Sequence, residues 1–374
     1  MKSLGLDISR RVAHVTSVHK PTDNRIFEKE CRTLASAGYR VTLIAPALTD
    51  TVKNGIEIRA IDGNKSRLKR MTKTVWQAYR AAVSSSADIY HLHDPELLVA
   101  GVLLRMRGKK VIFDSHEDIV DDLMTKDYVS HWLRAPISNV FRLVLWLLRF
   151  CLSGFVAATP TIAKRFPKNR TVVIRNYPYL DEVRRLYVPI DGRPARALFL
   201  GSVSRIRGIF EMVNAIEMVA SPADASLLIV GEFESERLLK EAQKLRGWGR
   251  VQHMDWQPRE NLPAIMSGCA VGLVLFYPLE AHVEALPNKL FEYMAAGIPL
   301  IASDFPMWRD LIETAGCGLL VDPMEPKEIS EAMSFMFSNP QRAKAMGDAG
   351  RRAVLSTYNW EPEGEGLLNF YARI

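Results

Sequence analysis

Short apolar, β-branched runs alternate with amphipathic stretches along almost the whole chain. The run 12–18 (VAHVTSV) reads as a strand, and the segment after it places Phe27, Cys31 and Leu34 at helical spacing between Arg25 and Ser36. Further strand-like runs cover 40–46, 89–94, 109–116, 154–159 and 171–175, with helical stretches near 66–83, 95–107 and 134–151. The series stalls at 178–195, where Pro189, Gly192 and Pro194 cluster and a linker is expected. It resumes with runs at 197–201, 226–231, 251–255, 270–276, 298–303 and 318–322, and closes on a helical pattern from Tyr358 to Ile374. Continuously apolar strands separated by helices specify parallel sheets covered on both faces. The expected fold class is α/β, with one doubly wound domain over 1–188, a second over 189–356 and a closing helix over 357–374. Ligands of such sheets bind beyond the carboxyl ends of strands, so a cleft between the two sheets is the expected site.

Composition narrows the function classes. The 374 residues are 48% hydrophobic and 24% charged, which suits two globular cores and excludes disorder, collagen and coiled coil. Cys31, Cys151, Cys269 and Cys317 lie far apart with no zinc-type or CxxC spacing, as expected of a reducing cytosol. The N-terminus has no apolar core of signal-peptide length. The most apolar stretch, 141–158, is interrupted by Arg142 and Arg149 and falls short of the roughly 20 residues that cross a bilayer. The expected location is therefore cytoplasmic. Charge is uneven: residues 1–190 carry 31 Lys and Arg against 18 Asp and Glu, whereas 191–374 carry 18 against 24. A negatively charged surface or ligand is expected to face the first half.

The most informative chemistry lies in Glu284-Ala-Leu-Pro-Asn-Lys-Leu-Phe-Glu292. In one helix the two carboxylates would stand about 12 Å apart. Pro287 favours a helix start between them, which leaves Glu284 on the incoming loop. The N–H groups around Asn288, Lys289 and Leu290, with the positive dipole end, favour a phosphate. Glu292, one turn in, is placed to accept from a ribose, and Glu284 from a sugar beyond the phosphates; the alternative is a solvated acidic pair flanking an ordinary helix. A second element, Gly201-Ser202-Val-Ser-Arg205-Ile-Arg207-Gly208, follows a strand and offers two arginines for phosphate or a plain basic turn. Gly231 ends the strand SLLIVG, where backbone can approach a base or simply turn.

In the first half, His91-Leu-His93-Asp94 ends a strand, with His91 and His93 on one face by period-two alternation. Asp114-Ser-His116-Glu117 repeats the arrangement one strand later. These groups suit polar contacts or proton transfer at a strand end, or a histidine satisfied in the core. Together they also have the composition of a metal cluster, although nothing else in the sequence supports one and no metal is expected. His19, Asp23 and Arg25 follow the first strand and either line the site or cap the first helix.

Taken in order, these elements resemble the retaining glycosyltransferases of the family-4 type, which have two Rossmann-like domains in the GT-B fold. Glu284 and Glu292 match that family's E-x7-E motif, and Tyr293-Met-Ala-Ala-Gly297-Ile-Pro299-Leu-Ile-Ala-Ser303 matches its continuation. His19-x-Pro21, Asp23, Arg25-Ile-Phe, His93-Asp94 and the closing Tyr358-Asn-Trp360 also resemble it. The resemblance implies transfer of a hexose or N-acetylhexosamine from a nucleotide sugar, UDP favoured over GDP, to a glycan or lipid-linked acceptor in cell-surface polysaccharide assembly. It implies that His93, Glu284 and Arg207 serve at the reaction centre. Ser202, Arg205, Gly231, Asn288, Lys289, Leu290 and Glu292 would bind the donor, with Arg205 replacing an arginine usual at Ser202. His19, Asp23, Arg25, Asp94 and His116 would line the acceptor side. No cofactor or metal is implied, the departing phosphate deprotonates the acceptor, and the closing helix crosses back onto the first domain. A sugar-nucleotide epimerase of the same fold and a non-catalytic nucleotide-sugar-binding subunit are the competing readings.

Basic residues beside large apolar ones, at 65–73 with Trp76 and Tyr79 and at 131–150 with Trp132 and Trp146, describe interfacial helices or, alternatively, a solvated face and a core helix. Each Lys or Arg near an anionic leaflet contributes about 1 kcal/mol, so peripheral contact with the inner membrane face is expected. Nucleic acid is not, since no recognition motif accompanies the charge.

Overall fold

The computed structural model describes residues 10–64, 66, 69–115, 147, 151–187 and 192–374. The chain divides into two compact units, Met1–Asn176 with Trp360–Ile374, and Tyr177–Asn359. The helical stretch expected at 134–151 lies outside the described residues apart from Leu147 and Cys151, as do His116, Lys65 and Arg67.

The first unit holds β1 (Arg11–Val15), β2 (Arg40–Pro46), β3 (Thr51–Lys53), β4 (Ile56–Ile61), β5 (Ile89–Leu92), β6 (Lys110–Ser115), β7 (Gly154–Ala157) and β8 (Thr171–Val173). They form one sheet in the order β3-β4-β2-β1-β5-β6-β7-β8, parallel except for β3 against β4. The β3–β4 hairpin is additional to the expected strands. Its turn is Asn54-Gly55, both with positive φ (51° and 75°), the geometry that a two-residue hairpin turn demands. Order reverses about β1, whose neighbours β2 and β5 are reached in opposite directions. A π-helical turn, Ile26–Cys31, runs into the helix Arg32–Ser36 and buries Ile26, Phe27 and Cys31, so the expected helix is present with an altered first turn. The closing helix Trp360–Arg373 belongs to this unit. Its Trp360 Nε1 donates to Thr33 Oγ1 at 2.8 Å, and its Glu363 accepts from the Arg175 backbone N–H at 2.8 Å.

The second unit holds β9 (Arg196–Leu200), β10 (Ser226–Val230), β11 (Val251–Met254), β12 (Val271–Val274), β13 (Leu300–Ser303) and β14 (Gly318–Val321). They form one parallel sheet in the order β11-β10-β9-β12-β13-β14, reversing between β9 and β12. Alternation along β9 sends Ala197 and Phe199 to one core with Ile209, Met212 and Met333, and Leu198 and Leu200 to the other with Leu290, Phe291 and Trp308. Each fully buried Leu, Ile, Phe or Met side chain among these contributes about 1.5–3 kcal/mol. The segment 178–195 is not simply a linker. Leu180–Leu186 is a helix whose Val183 and Leu186 join the core of Leu290 and Phe291, so the second unit begins at Tyr177.

Candidate functional site

A cavity of about 530 Å³ opens at the carboxyl ends of β9, β10 and β11, where a doubly wound sheet is expected to bind its ligand. Its walls include Gly201, Ser202, Gly231, Phe233, Trp256 and Glu292. The floor is a close approach of two backbones: a Cβ on Gly231 (φ 147°) would lie 2.1 Å from the Gly201 carbonyl oxygen, so only glycine fits. Ser202, Gly231 and Glu292 of the expected donor-binding set thus share one cavity.

The helix Asn288–Ala296 carries the rest of that set. It starts as expected, with Pro287 in extended conformation as its cap. Tyr293 locks it onto β9: its hydroxyl donates to the Leu198 carbonyl at 3.0 Å and accepts the Leu200 N–H at 2.9 Å. Ser303 ties β13 to the end of β12 in the same manner, through the N–H and carbonyl of Phe276. The Leu290 N–H is taken by the Pro287 carbonyl at 3.1 Å, so among the three amides it serves the helix turn rather than a ligand. Lys289 is 8% exposed, its Nζ 3.7 Å from the Phe199 ring centroid and 5.3 Å from that of Phe276. No hydrogen-bond partner reaches that Nζ among the described residues. A Cβ on Gly201 would lie 3.6 Å from it, which places the ammonium directly behind the cavity floor. Burial, with repulsion from Arg207, pulls its pKa well below the ordinary lysine value against the pull of Glu292.

Arg207 sits in the turn Arg205–Arg207 that leads into the helix Ile209–Met218. Its Nη1 donates to the Ser202 carbonyl at 3.0 Å and its guanidinium lies 5.5 Å from the Phe276 centroid. Arg205 is exposed, over the Phe210 ring at 5.1 Å. Glu284 is half-buried and ends a single helical turn, Glu280–Val283, pinned by Trp308 Nε1 donating to the Ala285 carbonyl at 2.6 Å. Glu292 pairs with Arg259 at 3.0 Å, and Arg259 reaches Glu182 at 3.2 Å.

The first unit gathers a different constellation at the carboxyl ends of β1 and β5. Register sets His14 of β1 beside His91 of β5, and alternation brings His93 to the same face. The His91 and His93 rings stack at 4.7 Å. His93 is 2% exposed, with Nε2 2.9 Å from His14 Nδ1 and Nδ1 3.2 Å from Asp114 Oδ2. Both its ring nitrogens are thus turned to protein partners within the unit, not to an open surface. Arg25 grips Asp114 with Nε and Nη2, at 2.8 and 2.9 Å. Asp94 Oδ2 accepts from the Thr16 hydroxyl at 2.7 Å and the Ser17 N–H at 2.6 Å, so it shapes the β1 end. His19 is the more open member, 3.5 Å from Asp94 and 3.4 Å from Asp23. Asp23 Oδ1 accepts the N–H groups of Arg25 and Ile26, both at 2.9 Å, and caps the turn. Burial works against its charge, but His19 and these N–H groups outweigh it and hold its pKa at about 2.

Residues 187–353 match the family Glycosyl transferases group 1, and residues 24–177 match the Glycosyl transferase 4-like domain. The sucrose-phosphate synthase of Thermosynechococcus elongatus superposes with a TM-score of 0.75 at 19% identity, over 97% of this chain and 98% of that one. The chain belongs to the family-4-type glycosyltransferases of GT-B fold. Spore coat protein SA of Bacillus subtilis is 23% identical over 239 residues, 57% of this chain and 62% of that protein. The GDP-mannose-dependent monoacylated alpha-(1-6)-phosphatidylinositol monomannoside mannosyltransferase of Corynebacterium glutamicum is 28% identical over 174 residues, 44% and 43% of the two chains. The chain spans about half the length of these curated relatives.

Several site residues of this family-4 chain escaped the sequence. Arg259 reaches Glu292 across 33 positions, so only folding reveals the pair. His282 meets Phe276 edge to face at 4.9 Å and donates from Nδ1 to the Tyr277 carbonyl at 3.0 Å; burial chiefly, with nearby Arg207, lowers its pKa. His14, Glu30 and Tyr371 join the first-unit cluster, where the only sequence signal was a polar residue in an otherwise apolar element.

Proposed function

We propose that the chain transfers a hexose or N-acetylhexosamine, with retention, from a nucleoside diphosphate sugar to a glycan or lipid-linked acceptor. The observation that carries this reading is Lys289, a buried ammonium without a hydrogen-bond partner among the described residues, set behind a glycine-floored cavity. Such a cation is costly until an anion arrives. In this reading the diphosphate lies over Gly201 and Gly231, facing Lys289 and Arg207, and Glu292 holds the ribose. Phe233 and Trp256 offer aromatic surface to the base. As the bond from the anomeric carbon to the diphosphate oxygen breaks, negative charge grows on the leaving group, and fixed cations stabilise it. The departing phosphate takes the acceptor proton as the acceptor oxygen bonds to that carbon. No metal is required for this step. Glu284 serves the sugar end. The enclosed His93 serves as a positioning group for the strand end, while the more open His19 is the acceptor-side contact.

The C. glutamicum relative is named for a phosphatidylinositol mannoside, which supports a lipid-linked acceptor. So does an exposed apolar face of the first unit: Met71, Trp76, Val99 and Met106 lie open, beside a shallow groove floored by Tyr79 and Leu103. Arg70 and Lys73 are paired with Glu96 and Asp62, so apolar contact rather than charge is the main support for peripheral membrane binding. No helix among the described residues is long and apolar enough to cross a membrane.

Thermal-shift screening of UDP- and GDP-sugars, followed by turnover with a membrane extract, tests the proposal. Acceptor-dependent release of nucleoside diphosphate with a heavier product is expected; free C2-inverted sugar nucleotide, or binding without turnover, would overturn it. Glu292→Ala is expected to weaken donor binding about tenfold to a hundredfold, the loss of one or two charge-assisted hydrogen bonds at about 1.5–3 kcal/mol. Unchanged donor Kd by calorimetry would remove the ribose assignment. Arg207→Ala is expected to lower kcat about 10²-fold or more with a smaller change in KM, since its partner charge develops only as the bond breaks. Full turnover would move that role to Arg205.

A further inference from the structure

We propose that His14, His91, His93 and Glu30 form a buried binding site for one divalent first-row transition ion of the zinc type, within the first unit and apart from the donor cavity. Four donor atoms converge there. Glu30 Oε2 lies 3.8 Å from His14 Nδ1, 3.8 Å from His91 Nδ1 and 3.9 Å from His93 Nε2. His14 Nδ1 and His93 Nε2 are 2.9 Å apart, and one ligand atom from each of the four residues falls within 4.8 Å of the others. Zinc–nitrogen and zinc–oxygen bonds of about 2.0–2.2 Å at tetrahedral angles place ligand atoms about 3.3–3.6 Å apart. The observed separations, 2.9 to 4.8 Å, bracket that value, so side-chain adjustment is needed to close the site.

Glu30 supplies the second, independent observation. It is fully buried, and neither carboxylate oxygen has a hydrogen-bond partner among the described residues. Arg25 Nε stands 3.1 Å from Oε1 but directs its N–H to Asp114. Arg25 compensates the Oε1 side of this buried carboxylate, and a cation coordinated on its Oε2 side, which faces the imidazoles, would offset the remaining cost of burying it beside Asp114. The outer contacts suit a metal ligand as well. His93 turns its other nitrogen to Asp114, and Asp114 is itself fixed by two bonds from Arg25. A ligating imidazole oriented by a carboxylate is the usual support of a metal site. Three imidazoles and one carboxylate without thiolate suit zinc, with iron, copper and nickel as competitors. All four positions are filled by protein and all four residues are buried, as in a structural site rather than a catalytic one. The ion would staple β1, β5 and the turn Ile26–Cys31 together beneath Tyr371 of the closing helix, whose hydroxyl bonds His91 Nδ1 at 2.8 Å and would give up that nitrogen to the ion. This departs from the sequence-based expectation of no metal, and it leaves the sugar-transfer step metal-independent.

The test uses the untagged full chain, expressed with zinc in the medium, gel-filtered and assayed for metals by plasma mass spectrometry. About one equivalent per chain is expected. Chelation should lower the Tm and added Zn²⁺ should restore it, and Co²⁺ substitution should give the intense visible bands of four-coordinate cobalt. His14→Ala and Glu30→Gln should abolish the bound equivalent, and Asp114→Asn should weaken Zn²⁺ affinity about 10–100-fold. Should a variant fail to fold, the stoichiometry and cobalt spectrum of the unmodified chain still decide. Less than a tenth of an equivalent of any first-row ion, no cobalt band and a chelator-insensitive Tm would overturn the proposal and leave a hydrogen-bonded histidine relay in its place.

Discussion

Lys289→Met should raise the Tm of the ligand-free chain and lower donor-dependent turnover about 10²–10³-fold, the usual loss on removing one group that stabilises developing charge. The two effects share a cause. Lys289 Nζ lies against the Phe199 and Phe276 rings with no hydrogen-bond acceptor among the described residues. Cation–π contact returns about 0.5–2 kcal/mol, less than the several kcal/mol that burying an ammonium costs. Burial therefore holds the lysine well below its ordinary pKa, with Arg207 adding repulsion. A base with a depressed folded-state pKa destabilises the fold while the unfolded lysine is charged. The penalty fades as pH rises toward about 10.4, the unfolded value. Methionine matches the chain length and removes the charge, so the variant gains about 2–4 °C for each kcal/mol recovered in a unit of this size. The gain should shrink between pH 7 and pH 10. A diphosphate ligand that stabilises the parent should stabilise the variant much less. Calorimetric scans with and without UDP or GDP, beside initial rates, check all three. A lower Tm with full turnover would mean that Lys289 is a packing residue.

The fold was largely legible because a parallel sheet buried on both faces writes its strands as unbroken apolar runs, and every expected run that falls on described residues is a strand. What escaped was the β3–β4 hairpin, including β4 with its buried Ile56, Ile58 and Ile61, and the helix inside the expected linker. β3 is three exposed residues, so no apolar pattern announces it, although Asn54-Gly55 is a turn signal in its own right. At 178–195, Pro189 and Pro194 signal a linker, but Val183 and Leu186 pack on Leu290 and Phe291 and make its first half a core helix. At the site, groups close in sequence were readable: the Glu284–Ser303 block, and the glycines that end β9 and β10. Pairings across the fold were not. Glu292 with Arg259, and His14 with Glu30 and His93, depend on which strands become neighbours. Period-two alternation did place His91 and His93 on one face, but it could not say that the face is enclosed by the turn Ile26–Cys31 and Tyr371.

Arg25→Met should destabilise the first unit by about 3–5 kcal/mol, the usual cost of removing one partner from a buried ion pair. Arg25 is 5% exposed and satisfies three acceptors: both oxygens of Asp114 and the Ile174 carbonyl, at 2.9 Å. Burial opposes its charge, yet Asp114 and Glu30 outweigh burial and hold the guanidinium above its ordinary pKa. Methionine fills similar space but leaves Asp114, 1% exposed, without either donor. His93 then loses the fixed carboxylate that orients it. Lysine restores the charge without the planar fork, so Arg25→Lys should recover only part of the loss. Global unfolding of a two-unit chain need not be two-state, so the loss is best read residue by residue. Amide exchange in β1, β5 and β6 should accelerate by about 10² to several 10³-fold, at roughly tenfold per 1.4 kcal/mol, while β9, β10 and β12 remain as protected as in the parent. Adding Asp114→Asn to Arg25→Met should cost less than the sum of the single changes, because the amide does not leave a charge buried. Equal exchange in the parent and Arg25→Met, or strictly additive single changes, would show that the Arg25–Asp114 pair does not hold this strand end together.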